Sequence, residues 1–262
     1  MLEEALGIVV TDDPQRLWHV CATVGTCGRL PWLSLPPEPL DNYGVLRYTA
    51  TMTDDAGPLP GRGISAVILA GGQSRRLGMD KSLLELDGQS LLARAVSKLA
   101  ALSDDIIVVT NGPENYEHLE LEARFVPDEQ PGAGALMGVY SGLKAASHNS
   151  ALAVACDMPF LNVPLLQYML PSSASYDVVV PRLGDFLEPL HAIYSKRCLP
   201  FMATLLAQGR PQIIAFFGDV EVHHVKEHEI AMFDPLRLSF LNVNSPADWQ
   251  LAQKVLARSD LE

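Results

Sequence analysis

The sequence has little positive charge and no long apolar run, and each shortage excludes a class of protein. Lysine and arginine number 19 against 31 acidic residues, and the formal net charge of -12 argues against broad contact with nucleic acid or acidic membranes. No apolar run is long enough for a bilayer-spanning helix, and the start MLEE lacks the basic and apolar segments of a signal peptide. We therefore expect a cytoplasmic protein that binds neither nucleic acid nor membranes. A small anionic substrate stays compatible, because one local basic loop is enough to bind a phosphate.

Cysteine is also scarce, and its spacing excludes the common thiol motifs. The four cysteines are Cys21, Cys27, Cys156 and Cys198, and none forms a Cys-x-x-Cys pair. Without that spacing the sequence shows no zinc or redox motif. We expect reduced thiols with mostly structural roles.

The first 63 residues lack the regular pattern of the remaining chain. They contain the proline-rich LPWLSLPPEPLDNYG and the turn-rich DDAGPLPGRG, and proline removes backbone hydrogen-bond donors. We predict a poorly regular N-terminal extension over residues 1–63, with one short helix near Pro14–Val24. Residues 64–262 form the second predicted region, a compact domain.

Short apolar runs alternate with amphipathic segments from residue 64 onwards. The predicted strands are Ser65–Leu69, Ile106–Thr110, Ala123–Pro127, Ala151–Ala155, Asp177–Pro181 and Leu190–Tyr194. Helices are predicted after an N-cap at Ser90, over Leu136–Ala146 and Pro164–Leu170, and from Pro246 after an N-cap at Ser245. Strands that are apolar throughout and separated by helices indicate an α/β fold, with a mainly parallel sheet covered on both faces. Ligands bind such sheets at the carboxyl ends of the strands.

The strongest functional signal follows the first of these strands, in the stretch VILAGGQSRRLGMDK. Glycines let the backbone approach a ligand, and Arg76 and Lys81 supply donors suited to phosphate oxygens. The stretch fits neither the Gly-x-x-x-x-Gly-Lys phosphate loop nor the Gly-x-Gly-x-x-Gly dinucleotide motif. A glycine-rich turn with solvated charges is the structural alternative. The length, the basic residues and the position after the first strand favour a phosphate-binding loop.

A carboxylate follows the fourth strand, at Asp157 in CDMPFL. Mg²⁺ usually binds one or two carboxylates together with substrate phosphates, so Asp157 is a candidate magnesium ligand opposite the phosphate loop. Its alternative role is to cap the turn before Pro159. The pair Asn242 and Asn244 would share one face of an extended segment, although Asn244 is equally suited to a turn.

Three other patterns allow a functional and a structural interpretation. The pair Asn111-Gly112 follows the second strand and is most often a turn. The stretch EQPGAGALMGVYSGL offers small residues where a base or ribose could lie, or it is an ordinary loop. The histidines of HHVKEH suggest a metal site, but neighbouring histidines on a strand point to opposite faces. We interpret HHVKEH as a solvated strand end.

The stretch LAGGQSRRLGMDKSLLELDGQSLL resembles the opening motif of the molybdenum cofactor guanylyltransferases, a family within the MobA-like nucleotidyltransferase superfamily. CDMPFL, EPLHAIY and FLNVNSPADW resemble later motifs of that family, in the right order, so the resemblance covers residues 63–258. It implies a Rossmann-like three-layer nucleotidyltransferase fold and the transfer of GMP from GTP to molybdopterin or Mo-molybdopterin. Mg²⁺ is the implied cofactor, pyrophosphate is the second product, and molybdenum insertion proteins or apo-molybdoenzymes are implied transient partners.

The resemblance also implies a role for each matching residue. Those implied to bind the nucleotide are Leu69, Ala70, Gly71, Gly72, Lys81, Asn111, Asp128 and Asp157. Those implied to be catalytic are Arg76, Lys81 and Asp157, with Asp157 as the metal ligand. Asn242 and Asn244 would lie toward the pterin.

Three rival functions stay open at this stage. One is a CTP-dependent transfer to molybdopterin, although family members that use CTP tend to carry LAAG where this chain has LAGG. Another is transfer of a nucleotide to a sugar or alcohol phosphate. The third is a nucleotide-binding adaptor that passes the cofactor on without catalysis. Residues 1–51 match no recognised motif, and we predict that they are dispensable for catalysis.

Overall fold

The computed structural model describes residues 19–22, 46–49, 63–70 and 80–259. The chain divides into two compact units, Met1–Gly57 and Pro58–Glu262. None of the helices within the described ranges is both long enough and apolar enough to span a bilayer.

The described part of the first unit is a two-stranded antiparallel sheet. Its strands are β1 (His19–Ala22) and β2 (Leu46–Thr49), with His19 opposite Thr49. The helix predicted near Pro14–Val24 is therefore wrong over His19–Ala22, and its other residues lie outside the described ranges. A helix this short is marginal by itself, whereas pairing with β2 supplies partners for the backbone donors and acceptors.

Ten strands are described in the second unit, and eight of them form one sheet. In chain order the ten are β3 (Ser65–Leu69), β4 (Glu85–Leu86), β5 (Gln89–Ser90), β6 (Asp105–Val109), β7 (Arg124–Val126), β8 (Ser150–Ala155), β9 (Val178–Leu183), β10 (Phe186–Leu187), β11 (His191–Ser195) and β12 (Val222–Val225). The sheet order is β10-β9-β11-β8-β3-β6-β7, and β12 also pairs with β9. Strands β4 and β5 form a separate hairpin.

The sheet is mainly parallel, as predicted. Strand β3 runs parallel to β6 and β8, β6 runs parallel to β7, and β12 runs parallel to β9. Strand β11 lies antiparallel between β8 and β9, and the short β10 pairs antiparallel with β9. The central strand β3 reads SAVIL and has both faces covered, which explains why it lacks the alternation of a half-exposed strand.

Helices on both faces of the sheet complete three layers. The helices described are α1 (Leu91–Leu99), α2 (Ala135–Ala145), α3 (Val163–Met169), α4 (Leu199–Ala207), α5 (Glu227–Ile230) and α6 (Pro246–Ser259). Helix α6 packs apart from the sheet, in a small cluster around the β4–β5 hairpin. Helices α1 and α3 pack on the face that carries Ile68, whereas α2 and α4 pack on the face that carries Val67. Neighbouring residues of one strand thus belong to two different hydrophobic clusters, since strand side chains alternate.

Side-chain caps fix the starts of three helices. The hydroxyl oxygen of Ser90 accepts from the Ala93 amide at 3.2 Å, and the Asn162 side chain accepts from the Leu165 amide at 2.9 Å. Ser245 accepts from the Asp248 amide at 3.2 Å, ahead of α6. Each such cap typically contributes about 1 kcal/mol. The predicted helix starts after Ser90 and Ser245 are confirmed.

Candidate active site

The carboxyl ends of four adjacent strands, β8, β3, β6 and β7, meet at one edge of the sheet. Backbone hydrogen bonds continue one residue past the strands: Ala70 donates to Val109 at 3.0 Å, and Cys156 donates to Leu69 at 3.1 Å. Ala70 is buried and Leu69 is partly buried at this edge. Gly71, Gly72 and Arg76 lie outside the described residues. The loops after β3 and β8 therefore begin at the same level of the sheet.

Lys81 contacts two other predicted site residues at this edge of the sheet. It begins a single 3₁₀ turn, Lys81–Leu83, in which the carboxylate of Asp80 accepts from the Ser82 amide at 3.0 Å. The Lys81 Nζ atom lies 2.7 Å from Asn244 Oδ1 and 3.5 Å from Asp157 Oδ2. The fold thus brings together three site residues that the sequence places far apart.

The Lys81–Asp157 pair is largely withdrawn from solvent. The two side chains are 16% and 19% exposed. Burial raises the pKa of Asp157, and the charge and hydrogen bond of Lys81 oppose that rise. An ionised carboxylate at this position therefore depends on a neighbouring cation, and charge interactions are stronger here than at the open surface.

Asn244 reaches Lys81 because its segment is tied to the loop after β8. The amide of Val243, a buried residue, donates to the backbone oxygen of Asp157 at 2.9 Å. The Asn244 amide in turn donates to Asp248 Oδ2 at 2.9 Å, at the start of α6. The Asn242 side chain instead donates to the Phe240 backbone oxygen at 3.3 Å. Of the two asparagine side chains, the one that contacts Lys81 within the described residues is Asn244.

A second pair, Asn111 and Asp128, follows the neighbouring strands β6 and β7. The Asp128 amide donates to Asn111 Oδ1 at 3.0 Å, and Asn111 Nδ2 donates to Asp128 Oδ2 at 3.4 Å. The other carboxylate oxygen, Asp128 Oδ1, is buried and has no hydrogen-bond partner within the described residues. Burial raises the pKa of Asp128, and the Asn111 hydrogen bond partly offsets the rise. A ligand that donates hydrogen bonds would satisfy this oxygen.

Gly138 in α2 lets the side chains of Leu69 and Asp128 lie close to the helix. A Cβ atom at this position would lie 2.9 Å from Leu69 Cδ2 and 3.6 Å from Asp128 Oδ1. The small residues of this stretch are predicted to leave room for a base or ribose. The structure places the glycine against the side chains of two predicted nucleotide-binding residues.

Four residues in contact with this site were not identified from the sequence. Tyr116 Oη donates to Asp80 Oδ2 at 2.6 Å, and Ser82 Oγ lies 3.3 Å from Cys156 Sγ. Only Asp80 has a local sequence signal, as an acidic residue capping the turn that begins at Lys81. The remaining contacts join residues distant in the chain, and no spacing rule indicates them.

The prediction of a solvated strand end for HHVKEH is confirmed only in part, because His228 lies in α5 and is exposed. His223 and His224 belong to β12, and both are half-buried rather than fully solvated. The His223 ring lies 4.9 Å from that of Tyr176. Within the part of the chain that the structure describes, no three His, Cys, Asp or Glu side chains form a metal-binding group.

Comparison with known proteins first identifies the class of enzyme to which the domain belongs. Residues 66–225 match the family profile described as the MobA-like NTP transferase domain. The parallel sheet with charged strand ends is therefore that of a nucleotidyltransferase.

Individual relatives narrow the class to one family. The chain is 39% identical over 184 residues to a probable molybdenum cofactor guanylyltransferase from Pelotomaculum thermopropionicum, covering 70% of this chain and 89% of that protein. It is 38% identical over 188 residues to the molybdenum cofactor guanylyltransferase of Syntrophotalea carbinolica, covering 71% and 89%. The chain belongs to the molybdenum cofactor guanylyltransferase family.

A solved structure agrees with this assignment. Molybdopterin-guanine dinucleotide biosynthesis protein A from Archaeoglobus fulgidus superposes with a TM-score of 0.66 at 26% identity. The match covers 74% of this chain and all of that one. The three-layer fold expected from the sequence is confirmed.

Proposed function

We propose that this chain transfers GMP from GTP to the terminal phosphate of molybdopterin or Mo-molybdopterin and releases pyrophosphate. Family membership supports the reaction class. The observation that carries the proposal is the cluster at Lys81, whose ammonium group contacts Asp157 and Asn244 at the carboxyl edge of the sheet. An ammonium group held between two loops at this edge is suited to an anionic nucleotide.

The reaction needs charge neutralisation more than it needs a base. The attacking group is a phosphate oxygen of the pterin, which is already ionised near neutral pH. It forms a bond to the α-phosphorus of GTP while the bond from that phosphorus to the α,β-bridging oxygen breaks. Pyrophosphate leaves with the electron pair of the broken bond. Lys81, with Arg76 from the glycine-rich loop, would offset the negative charge that gathers as the two anions meet.

The donor set at Asp157 fits a magnesium ion that substrate phosphates help to bind. Asp157 presents one carboxylate, and the described residues form no closed group of three metal-binding side chains around it. Mg²⁺ often binds in this way, through one or two carboxylates plus phosphate oxygens and water. When bound, it would polarise the phosphates and neutralise the leaving pyrophosphate. Asp157 would hold the ion, and Lys81 would then be free to contact the nucleotide.

The guanosine part of GTP is assigned to the pair after β6 and β7. Asp128 Oδ1 is buried and unpartnered within the described residues, so the amino and imino hydrogens of guanine or the ribose hydroxyls are suitable donors. Asn111 holds Asp128 through two hydrogen bonds, one donated to the carboxylate oxygen Oδ2 and one accepted from the Asp128 backbone amide. Leu69, Ala70, Gly71 and Gly72 are proposed to line the nucleotide, and Asn242 and Asn244 to face the pterin.

The deciding experiment is incubation of the protein with GTP, Mg²⁺ and molybdopterin, with chromatographic detection of the dinucleotide and of pyrophosphate. We expect the guanine dinucleotide from GTP and little product from CTP. Product from CTP alone would favour the cytidylyl reaction. GTP binding without pyrophosphate release, for any molybdopterin acceptor, would favour the non-catalytic adaptor.

The proposal also covers the domain organisation of the chain, its partners and its location. Residues 1–63 are proposed as an extension to a nucleotidyltransferase domain of residues 64–262, with residues 1–51 dispensable for catalysis. A variant that begins at Met52 should retain turnover, and failure of this variant to fold would contradict the prediction.

Molybdenum insertion proteins or apo-molybdoenzymes are proposed as transient partners, in the cytoplasm.

A further inference from the structure

A chain of polar contacts connects the two neighbours of Lys81 in the sequence to Tyr116 and Cys156. The Tyr116 hydroxyl donates to Asp80 Oδ2 at 2.6 Å and also lies 3.5 Å from Ser82 Oγ. Ser82 Oγ contacts Cys156 Sγ at 3.3 Å. Asp80 and Ser82 flank Lys81, and Cys156 precedes Asp157. Each member of the Lys81–Asp157 pair is therefore held through a residue next to it in the chain.

Tyr116 is built into the core rather than exposed in the site. It is 2% exposed, lies in a 3₁₀ segment (Pro113–Leu119) after β6, and stacks on Phe125 with the ring centroids 6.1 Å apart. Burial and the adjacent Asp80 carboxylate raise the pKa of Tyr116 to about 12. Its hydroxyl is thus protonated at neutral pH and remains a donor.

The Asp80 carboxylate joins these contacts to the turn that carries Lys81. One oxygen accepts from the Ser82 amide and the other accepts from Tyr116, so both oxygens of the side chain are oriented. A single 3₁₀ turn such as Lys81–Leu83 is weakly stabilised by its own backbone bonds. Its orientation therefore depends on contacts from outside the turn.

We propose that Tyr116 is a positioning residue for Lys81, acting through Asp80 and Ser82 without contacting the substrate. The expected effect on kcat rests on the proposed guanylyl transfer, whereas the expected effect on the position of Lys81 does not. The hydroxyl of Tyr116 orients the turn so that Lys81 Nζ lies between Asp157 and Asn244. A displaced ammonium group would still attract the nucleotide, but it would stabilise the negative charge of the transition state less well.

The kinetic test replaces Tyr116 by phenylalanine, which keeps the ring and removes the hydroxyl. We expect kcat to fall by about tenfold while the KM for GTP changes little, since positioning acts mainly in the transition state. In a Lys81→Ala background the same replacement should cause no further loss, because two residues that act as one unit are non-additive. Asp80→Asn, which weakens the same hydrogen bond from its other side, should reproduce the selective loss of kcat.

Two controls separate the hydroxyl from general stability. Tyr168 also donates to a carboxylate, Glu229 Oε1 at 2.6 Å, and Tyr168→Phe should leave kcat unchanged. Phe125→Leu removes the ring beside Tyr116 but keeps the hydroxyl, so it should lower the melting temperature without a selective loss of kcat. An unchanged kcat in Tyr116→Phe, or a loss that persists fully in the Lys81→Ala background, would overturn the inference.

A second readout does not depend on catalysis. An amine-reactive reagent applied to the full chain, followed by mass spectrometry of the Lys81 peptide, measures how firmly this ammonium group is held. We expect Tyr116→Phe to raise the Lys81 labelling rate severalfold and Tyr168→Phe to leave it unchanged. If the wild-type protein makes no dinucleotide, the proposed function fails, and labelling alone decides the positioning role. An equal labelling rate in wild type and Tyr116→Phe would refute it.

Discussion

The Lys81 Nζ atom donates to Asn244 Oδ1 across 2.7 Å, although 163 positions separate the two residues in the chain. Lys81 follows β3, whereas Asn244 precedes α6 near the end of the described residues. The contact joins the phosphate-binding side of the proposed site to the proposed pterin side. One ammonium group is therefore placed where the two anionic substrates would meet.

Replacing Lys81 by alanine should lower turnover with GTP by roughly 10²–10³, by analogy with the loss of one electrostatic donor. The reason is that the ammonium group is largely withdrawn from solvent and no described lysine takes its place beside Asp157. Initial rates of pyrophosphate release measure the effect. Lys98→Ala removes an exposed lysine of α1 and serves as the control. Near-normal turnover in Lys81→Ala would remove this residue from the mechanism.

Replacing Asp157 by asparagine should abolish the magnesium-dependent activity. The carboxamide keeps the shape of the side chain but loses the charge that Mg²⁺ prefers. Initial rates across a Mg²⁺ titration provide the measurement, with binding of the Mg²⁺–GTP complex by calorimetry as a second readout. Asp185→Asn is the control, because the Asp185 side chain is 99% exposed. An unchanged titration would show that the ion is held elsewhere.

Gly138→Ala should weaken GTP binding while the fold is retained. The added Cβ would meet the flexible end of Leu69 at 2.9 Å and approach Asp128. We expect the KM for GTP to rise by about tenfold, which corresponds to ~1.4 kcal/mol. Steady-state kinetics measure this change, and an unaltered KM would mean that displacement of Leu69 does not affect nucleotide binding.

Gly142→Ala, one helical turn further along α2, should affect stability instead. A Cβ there would lie 2.3 Å from Val67 Cγ1 in the core, and overpacking typically costs about 1–3 kcal/mol. Urea unfolding measures the loss. A stability equal to that of the wild type would show that α2 can shift away from β3 without cost.

His191 should make the protein less stable as the pH falls from 6.5 toward 4. Burial lowers its pKa to about 4, although the Asp234 charge opposes this, and neither ring nitrogen has a hydrogen-bond partner within the described residues. The unfolded chain takes up this proton first, so the stability is present above pH 6.5 and declines below it. The shift corresponds to about 3 kcal/mol at the acid end of the window.

Urea unfolding between pH 7.5 and 4.5 tests the role of His191. His191→Leu should flatten the decline, because an apolar side chain adds no titrating group to the buried position. His118→Gln, at an exposed position of the 3₁₀ segment after β6, should leave the slope unchanged. The same steep decline in wild type and His191→Leu would assign the pH dependence to another group.

Strand and helix positions were largely predictable because local chemistry specifies them. The prediction Ser65–Leu69 matches β3, whereas Ile106–Thr110 starts one residue after β6 does. The difference arises because Asp105 is a charged residue that the apolar pattern excludes from a strand. In the fold its carboxylate is buried, accepts from Ser65 Oγ at 2.5 Å and pairs with Arg124 at 2.6 Å. Those partners come from other strands, so the local sequence does not indicate them.

The helix predicted near Pro14–Val24 failed for a related reason. Over His19–Ala22 the structure has a strand, because Leu46–Thr49 supplies the hydrogen-bond partners. The apolar runs also did not predict that β11 lies antiparallel to its neighbours in a mainly parallel sheet. An apolar run identifies a buried strand, but its neighbours and direction depend on the path of the whole chain.

The order of strands and helices and the motifs at the strand ends followed from the linear sequence, since side-chain periodicity, caps and glycine spacing act over a few residues. The family resemblance rested on the same short-range motifs. Only the tertiary structure decided that Lys81 contacts Asn244 rather than Asn242, and that the Tyr116 hydroxyl donates to Asp80. It also decided that one oxygen of Asp128 is buried with no hydrogen-bond partner among the described residues. These relationships depend on distances between residues remote in the chain, which are set when the helices pack on both faces of the sheet.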